Sequence, residues 1–362
     1  MDLVAEMLGR WIPEAAGADI RSEVLRPPFQ RRLSRNGSAP SVRDRIINRY
    51  WDYPRWLRSQ VGRFDVFHVA DHSYAHLVHV LPAQRAVVSC HDVDAFLPFA
   101  TGEDRRKSLL PIFLSRRSFT GLQRAAAILC ISESTRSALT TLPGIDAARS
   151  RVVPLGVDSS FTPVPSAAAD GDARRLLGPR GAFDDLLHVG STIDRKRIDI
   201  LLRVFAAVRA LRPSVRLLRV GGPLTDAQAA LARDLRIDDG IVQLPFLDAG
   251  TLAAVYRRAA LTLLTSEREG FGLPIIEAMA SGCPVVVSDL PVCREVGGEA
   301  ATYCALERVD EWTATVLRLL DERRSDAQAW RARVDRAASQ AARFSWRACA
   351  AASVDVYRSL AS

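Results

Sequence analysis

Short apolar runs alternate with helix-compatible segments throughout the second half of the chain, and this alternation restricts the fold more than any other feature. Each run ends in polar or turn residues, as buried parallel strands do. The strand candidates are residues 186–191, 215–222, 240–247, 261–266 and 284–289. The helical stretches between them are residues 197–210, 224–235, 250–259 and 274–281. This β-α-β rhythm predicts a doubly wound parallel sheet.

The first half has a similar but less regular pattern. Its strand candidates are residues 65–71, 86–92, 126–132 and 151–158. We therefore predict an α/β protein of two Rossmann-like domains facing each other across a cleft, where ligands usually bind. The predicted parts are an N-terminal domain (1–165), a linker rich in Pro, Ala and Gly (166–182), a second domain (183–343) and a terminal helix (344–362).

The N-terminus departs from this pattern, because a doubly wound domain normally opens with a buried strand and a glycine-bearing turn. Residues 2–12 are instead helix-like. We expect that a first strand and its loop are missing upstream. The alternative is that residues 18–25 form the first strand.

Charge is distributed unevenly along the chain. The net charge is +8, and residues 1–150 contribute +6 of it through 21 Lys and Arg against 15 Asp and Glu. A basic half favours anionic partners, whereas a coding bias towards arginine explains the same numbers. The six cysteines have no C-x-x-C spacing, which favours buried thiols in a cytoplasmic protein. No apolar stretch approaches the roughly 20 residues needed to span a bilayer.

The most specific string is SEREGFGLPIIEAMASGCPVVVSD at residues 266–289. Gly270 and Gly272 allow the backbone to approach a ligand closely, and the helix that follows begins with N–H groups that attract a diphosphate. Glu277 lies about one turn into that helix, where its carboxylate would accept hydrogen bonds from a ribose diol. Glu269 lies across the loop and is positioned for the hydroxyl groups of a sugar.

The E-x7-E spacing with EGFGLPIIEAMASGCPVV resembles the donor motif of retaining glycosyltransferases of family 4, which have the GT-B fold. The resemblance runs from about residue 65 to the C-terminus and implies that the terminal helix crosses back onto the first domain. It also implies donor binding by the loop residues Gly270, Phe271, Gly272 and Leu273.

Two further segments are similar to the same family. In VGSTIDRKRIDILL (189–202), Gly190 begins the loop, and Arg195 and Lys196 would hold the diphosphate and stabilise the leaving group. In LPFLDAGTLAAVYRRA (244–259), the backbone around Phe246 and Leu247 would contact the nucleobase. The resemblance thus implies a catalytic set of His91, Glu269, Arg195 and Lys196.

His91 ends a predicted strand and is assigned to the cleft, where it would position sugar or acceptor; a purely structural histidine is the alternative. Asp92 and Asp94 spell D-x-D, which in GT-A glycosyltransferases binds a divalent cation. GT-A chains lack the second doubly wound half, so we expect no metal and no cofactor here. The remaining histidines have no convincing metal-site spacing.

We therefore expect a metal-independent hexosyltransferase that retains anomeric configuration, with mannose favoured and GDP-mannose preferred over a UDP-sugar. The expected acceptor is a glycan or a lipid-linked molecule. The basic segment 103–124 would bring a cytoplasmic protein to the inner face of an anionic membrane, or else packs as an ordinary helix. The alternatives are a GT-B-like epimerase or hydrolase, and a catalytically impaired binding protein. Nothing resembles a nucleic-acid module.

Overall fold

The computed structural model describes residues 2–34, 39–97, 109–179 and 183–361. The chain divides into two compact units. One comprises Met1–Gly156 together with Trp346–Ser362, and the other comprises Val157–Ser345. The predicted α/β class is confirmed, since each unit is built on a parallel sheet flanked by helices.

The sheet of the first unit has four parallel strands in the order β1-β2-β3-β4. Its strands are β1 (Phe67–Val69), β2 (Ala86–Cys90), β3 (Ala127–Cys130) and β4 (Ser150–Val152). The first helices of the chain are α1 (Asp2–Ala16), α2 (Val42–Ile47), α3 (Tyr53–Arg58), α4 (Leu109–Arg124) and α5 (Glu133–Thr140). A 3-10 helix at His72–Val80 packs against α4. Every residue of β2 and β3 is buried, as the apolar runs predict.

The predicted N-terminal helix is present, but residues 18–25 form no strand. The segment from residue 20 to 31 has no regular secondary structure. The chain just beyond it is held by side chains instead: the buried carboxylate of Asp44 accepts backbone N–H groups of Leu33 and Ser34. The hydroxyl of Ser34 also donates to it and keeps the pKa of Asp44 well below its usual range.

The sheet of the second unit has six parallel strands in the order β7-β6-β5-β8-β9-β10. They are β5 (Asp184–Val189), β6 (Val215–Val220), β7 (Ile241–Leu244), β8 (Leu261–Leu264), β9 (Val285–Ser288) and β10 (Thr302–Cys304). Its helices are α6 (Ala167–Leu177), α7 (Ile198–Leu211), α8 (Asp226–Asp234), α9 (Ala249–Arg258), α10 (Leu273–Ala280), α11 (Pro291–Gly297), α12 (Val309–Ser325) and α13 (Ala327–Ala341).

This strand order reverses direction between β5 and β8. In an open α/β sheet the loops at the carboxyl ends of two such strands leave a crevice, because their following helices go to opposite faces. Leu186 of β5 lies opposite both Leu217 of β6 and Leu261 of β8, and all three are fully buried. The apolar centre of the sheet therefore fixes the loops after β5 and β8 side by side.

The predicted linker at 166–182 is not a linker over most of its length. Ala167–Leu177 forms α6, which packs against α9 and ties to it through Asp170 and Arg257, 2.7 Å apart. Alanine-rich sequence favours a helix, and Gly178 ends it with a φ of +77°. The boundary between the two units lies between Gly156 and Val157, whereas the sequence predicts it near residue 165.

The last helix, α14 (Trp346–Ala361), belongs to the first unit and packs against α1. Its Tyr357 hydroxyl lies 2.5 Å from His68 Nδ1 on β1. The six cysteines are buried free thiols, as their positions in apolar runs predict. Over the described ranges no helix is long and apolar enough to cross a membrane.

Candidate active site

The loops that follow β5 and β8 are joined by backbone and hydroxyl hydrogen bonds. After β5 the chain passes Gly190 and forms a 3-10 turn at Asp194–Lys196. The hydroxyl of Thr265, just after β8, donates to the carbonyl of Lys196 at 3.1 Å, and the N–H of Glu267 donates to the carbonyl of Arg195 at 2.9 Å. The basic turn and the acidic loop are thus one local structure at the point where the strand order reverses.

The structure brings together three of the four predicted catalytic side chains. Lys196 Nζ lies 2.5 Å from Glu269 Oε1, and Arg195 Nη1 lies 3.7 Å from Glu269 Oε2. The Glu269 side chain is only 6% exposed, and that of Lys196 only 12%. Ser266 also donates to Glu269 Oε1, at 2.6 Å. The carboxylate is therefore held in one orientation by a cation and a hydroxyl on the same oxygen.

The glycine loop has the conformation that its sequence predicts. Gly272 lies at φ +90°, which favours glycine, and directly precedes α10, with Pro274 in the first turn. Gly270 and Gly272 are buried and Leu273 is half-buried. Phe271 is 3% exposed and packs edge-on against Phe344, with ring centroids 5.6 Å apart. The Phe271 side chain is therefore part of the core, which leaves only its backbone for the donor contact that the resemblance implies.

Glu277 lies on α10 and is half-buried, with a single hydroxyl partner among the contacts that the structure gives. The hydroxyl of Tyr256 donates to Glu277 Oε2 at 3.0 Å. Burial raises the pKa of Glu277 to about 7; the Tyr256 hydrogen bond works in the opposite direction, and the charge of Asp158 adds to the rise. At neutral pH this carboxyl is consequently close to the midpoint of its titration.

Two other loops lie at the carboxyl edge of this sheet. Phe246 follows β7 and is 84% exposed, while Leu247 is half-buried. Gly221 follows β6 at φ +123° and packs on Gly190: a methyl group at Gly221 would lie 2.3 Å from the Gly190 carbonyl oxygen. The glycine pair lets the loops after β5 and β6 touch.

His91 lies in the first unit, directly after β2. Its Nε2 donates to the carbonyl of Ala70 at 2.8 Å, which fixes the ring, and burial lowers its pKa. Its backbone N–H donates to His72 Nδ1 at 3.2 Å. The D-x-D residues are tied locally, since the N–H of Asp94 donates to Asp92 Oδ1. In the described part of the chain no group of three or more His, Cys, Asp or Glu residues is arranged to hold a metal ion.

Sequence reasoning missed two residues that orient the predicted site. Ser266 fixes Glu269, and Tyr256 fixes Glu277. Ser266 stands three residues before Glu269 within the motif, so its role was detectable. Tyr256 lies on α9 and is fully buried, and nothing in its sequence surroundings distinguishes it from an ordinary core aromatic.

Both units match models of known families. Residues 12–161 match the model described as Glycosyltransferase Family 4, and residues 184–322 match the one described as Glycosyl transferases group 1. A D-inositol 3-phosphate glycosyltransferase from Actinosynnema mirum is 37% identical over 195 residues, which are 50% of this chain and 46% of that protein. Its counterpart from Kineococcus radiotolerans is 31% identical over 260 residues, 66% of this chain and 58% of that protein. The chain thus spans about half the length of the curated relatives it matches.

Solved structures show the same fold at low identity. Sucrose-phosphate synthase from Thermosynechococcus elongatus superposes with a TM-score of 0.76 at 19% identity, over 99% of this chain and 93% of that one. HepE from Anabaena, in complex with UDP and glucose, superposes with a TM-score of 0.67 at 17% identity, over 86% and 83% of the two chains. The predicted GT-B fold is confirmed by these neighbours, and the chain belongs to the family 4, or group 1, glycosyltransferases.

Proposed function

We propose that the protein transfers a hexose from a nucleotide-sugar to an acceptor, with the donor bound at the carboxyl ends of β5 and β8. One observation carries the proposal: Arg195, Lys196 and Glu269 converge from two loops beside a glycine-bearing helix start. Cations bind and neutralise a diphosphate, a fixed carboxylate accepts hydrogen bonds from sugar hydroxyls, and the positive end of a helix favours an anion.

In this proposal each side chain has a distinct task. Arg195 and Lys196 bind the diphosphate and stabilise the charge that grows on it as the sugar leaves. Glu269, oriented by Lys196 and Ser266, accepts hydrogen bonds from sugar hydroxyls. Glu277 accepts from the ribose diol. His91 in the first unit positions the sugar or acceptor from its fixed ring.

The proposed reaction retains anomeric configuration, as the family resemblance implies. The acceptor hydroxyl attacks the anomeric carbon on the face from which the diphosphate departs, the glycosidic C–O bond to phosphate breaks, and the departing phosphate takes the hydroxyl proton. Alignment and charge stabilisation then supply the catalysis. A proton NMR spectrum of the early product tests this: an anomer opposite to that of the donor contradicts it.

For the donor we propose GDP-mannose first and a UDP-hexose second. The sequences of residues 189–197 and 152–161 resemble those of mannosyltransferase-like members of the family, which supports the first choice. The UDP bound to HepE supports the second. A thermal-shift screen of GDP, UDP, ADP and their sugars identifies the nucleotide, because a ligand that binds only the native state raises the unfolding temperature. If none of these compounds raises the unfolding temperature, the proposed donor site is wrong.

The proposed acceptor is a glycan or a lipid-linked molecule, and the names of the relatives add inositol phosphate as a compound to assay. We also propose peripheral contact of a cytoplasmic protein with anionic membrane through α4. Phe113 on α4 is 60% exposed and Arg116 is exposed, whereas Phe119 and Leu122 are buried in the core. Residues 103–108 of the predicted basic segment lie outside the described ranges. Flotation with anionic liposomes, against neutral ones, tests the contact.

We propose that transfer needs no divalent cation, since the charges of Arg195 and Lys196, which lie together at Glu269, would stabilise the diphosphate in place of a metal. Activity in excess EDTA should match that of the untreated enzyme. Complete loss, restored by manganese, contradicts the proposal and points to Asp92 and Asp94.

A further inference from the structure

Arg219 on β6 is a fully buried cation, and the described residues give it no acidic partner. Its Nη1 lies 3.4 Å from His188 Nδ1 and its Nη2 lies 3.5 Å from the Gly222 carbonyl, while its Nε has no hydrogen-bond partner among the same residues. No carboxylate of the described residues lies within ion-pair distance of it. Arg216 on the same strand is different, because its Nη2 lies 2.8 Å from Asp185.

An unpaired buried charge is costly, and proteins normally pair such a group or replace it by an apolar one. Burial lowers the pKa of Arg219 to about 10, so the guanidinium still carries its charge at neutral pH. Its one ring neighbour supplies no compensating charge: burial first, then the charges of Arg219 and Lys196, hold the pKa of His188 well below its usual value. The second unit thus retains a buried positive charge that no acidic side chain of the described residues balances.

The position of this charge links it to the candidate active site. His188 on β5 separates Arg219 from the loop that begins at Gly190. A methyl group on Gly190 would lie 3.1 Å from His188 Cε1 and 3.7 Å from Lys196 Cε. Arg219 therefore lies one imidazole ring away from the loop and from the predicted diphosphate lysine.

Arg195, Lys196 and Glu269 by themselves do not balance the charge of a bound diphosphate. Arg195 and Lys196 both approach the single carboxylate of Glu269, so this trio has a net charge of about +1. A nucleoside diphosphate carries at least two negative charges at neutral pH. Low-dielectric surroundings carry the effect of a buried charge over one side-chain width with little screening.

We propose that Arg219 is a positioning residue that strengthens diphosphate binding by its charge from beneath the Gly190 loop, without touching the ligand. The proposal rests on the proposed function, because it needs the donor diphosphate to occupy this loop. It distinguishes charge from structure through one quantity, the ratio of the affinities for a nucleoside diphosphate and for the matching monophosphate.

The test uses the full chain with Arg219→Met, Arg219→Lys and the control Arg216→Met, and titrates GDP against GMP and UDP against UMP by calorimetry. For Arg219→Met we expect the diphosphate preference to fall roughly tenfold, while the unfolding temperature of the ligand-free protein stays equal or rises because a costly buried charge is removed. Arg219→Lys keeps the charge and should keep the preference. Arg216→Met should lose stability yet leave the preference unchanged.

Each other result overturns the proposal. An unchanged preference in Arg219→Met, or equal weakening of both ligands together with a lower unfolding temperature, makes Arg219 a structural residue while the proposed function stands. Loss of the preference in Arg219→Lys as in Arg219→Met rules out charge as the cause. If the wild-type protein binds no nucleoside diphosphate, the proposed function and this inference fail together.

Discussion

Lys196 Nζ lies 2.5 Å from Glu269 Oε1, although 73 residues separate the two in the chain. They meet because β5 and β8 are neighbours in the sheet and each is followed by a loop at the same edge. The contact is shielded, since both side chains are nearly buried. Removal of either partner takes the shortest ion pair from a charge that is largely desolvated, which is unfavourable.

Substitution of Lys196 or Glu269 by alanine should therefore reduce sugar transfer at least about a hundredfold, as the loss of one electrostatic group in an active site typically does. Initial rates with saturating donor measure the effect. Arg209→Ala is the matched control, because Arg209 pairs with Asp239 at 2.7 Å near the end of α7, at the opposite edge of the sheet. Near-normal rates in both site variants would refute the assignment.

Glu277 should make donor binding and stability depend on pH in opposite directions. In the proposed function the carboxyl binds a ribose diol as the anion, so affinity for a nucleoside diphosphate should rise as the pH passes about 7. The pKa is about 4.5 for an ordinary glutamate and about 7 in the fold, so between these values the folded state holds a proton that the unfolded state releases. The free energy of unfolding contributed by Glu277 therefore falls as the pH rises through this range.

Glu277→Gln removes this titration. Its unfolding temperature should fall less between pH 5 and pH 8 than that of the wild-type protein, and its affinity for the nucleotide should be weak and nearly independent of pH. Scanning calorimetry and titration at both pH values give the two readouts. Parallel pH curves for the two proteins would show that Glu277 has an ordinary pKa.

Gly221→Ala should disrupt the loop pair after β5 and β6, whereas Gly222→Ala should not. Both glycines have positive φ, +123° and +105°, so alanine is strained at either position by about 1–3 kcal/mol. Only at Gly221 does the added methyl group also meet backbone, 2.3 Å from the Gly190 carbonyl oxygen; at Gly222 nothing lies within 4 Å. Thermal unfolding and nucleotide titration of the pair measure the difference, and equal losses would contradict the packing.

Phe246→Ala should weaken nucleotide binding without loss of stability. The ring is 84% exposed, so its removal exposes little core. We expect a base that contacts the backbone at this position to stack on the exposed ring as well, and such stacking is worth about 1–3 kcal/mol. We expect the Kd for the nucleoside diphosphate to rise at least about fivefold, and that for pyrophosphate to stay constant. Leu211→Ala, at a residue 66% exposed on α7, controls for loss of surface apolar area. An unchanged nucleotide affinity would remove Phe246 from the base site.

The second unit was predictable because its sequence repeats one local rule. Each of the five runs between residues 186 and 289 coincides with a strand or with its carboxyl-terminal loop, since buried parallel strands need continuous apolar residues. The proximity of Glu269 to Arg195 and Lys196 follows from the same topology once strand order is known. Sequence alone does not give that order, and the expectation that the three residues share one site came from the family resemblance.

Where local composition and tertiary context disagree, the predictions differ from the structure. The stretch around Ala167 contains the turn formers of a linker, yet it forms a helix because α9 offers it a packing surface and Arg257 an ion pair. Residues 20–25 look like a strand but do not pair with β1. The roles of Tyr256 and Arg219 depend on contacts across the sheet, which leave no periodic signal in the sequence.

The hydrogen bond between His68 and Tyr357 joins residues 289 positions apart within one unit. On the ribosome, the N-terminal half therefore emerges long before the partner of β1 and α1 has been translated. During that interval α14 does not yet cover the apolar face of α1, which includes Val4, Leu8 and Ile12. The first unit is therefore fully packed only after α14 has been synthesised, so removal of α14 should destabilise α1.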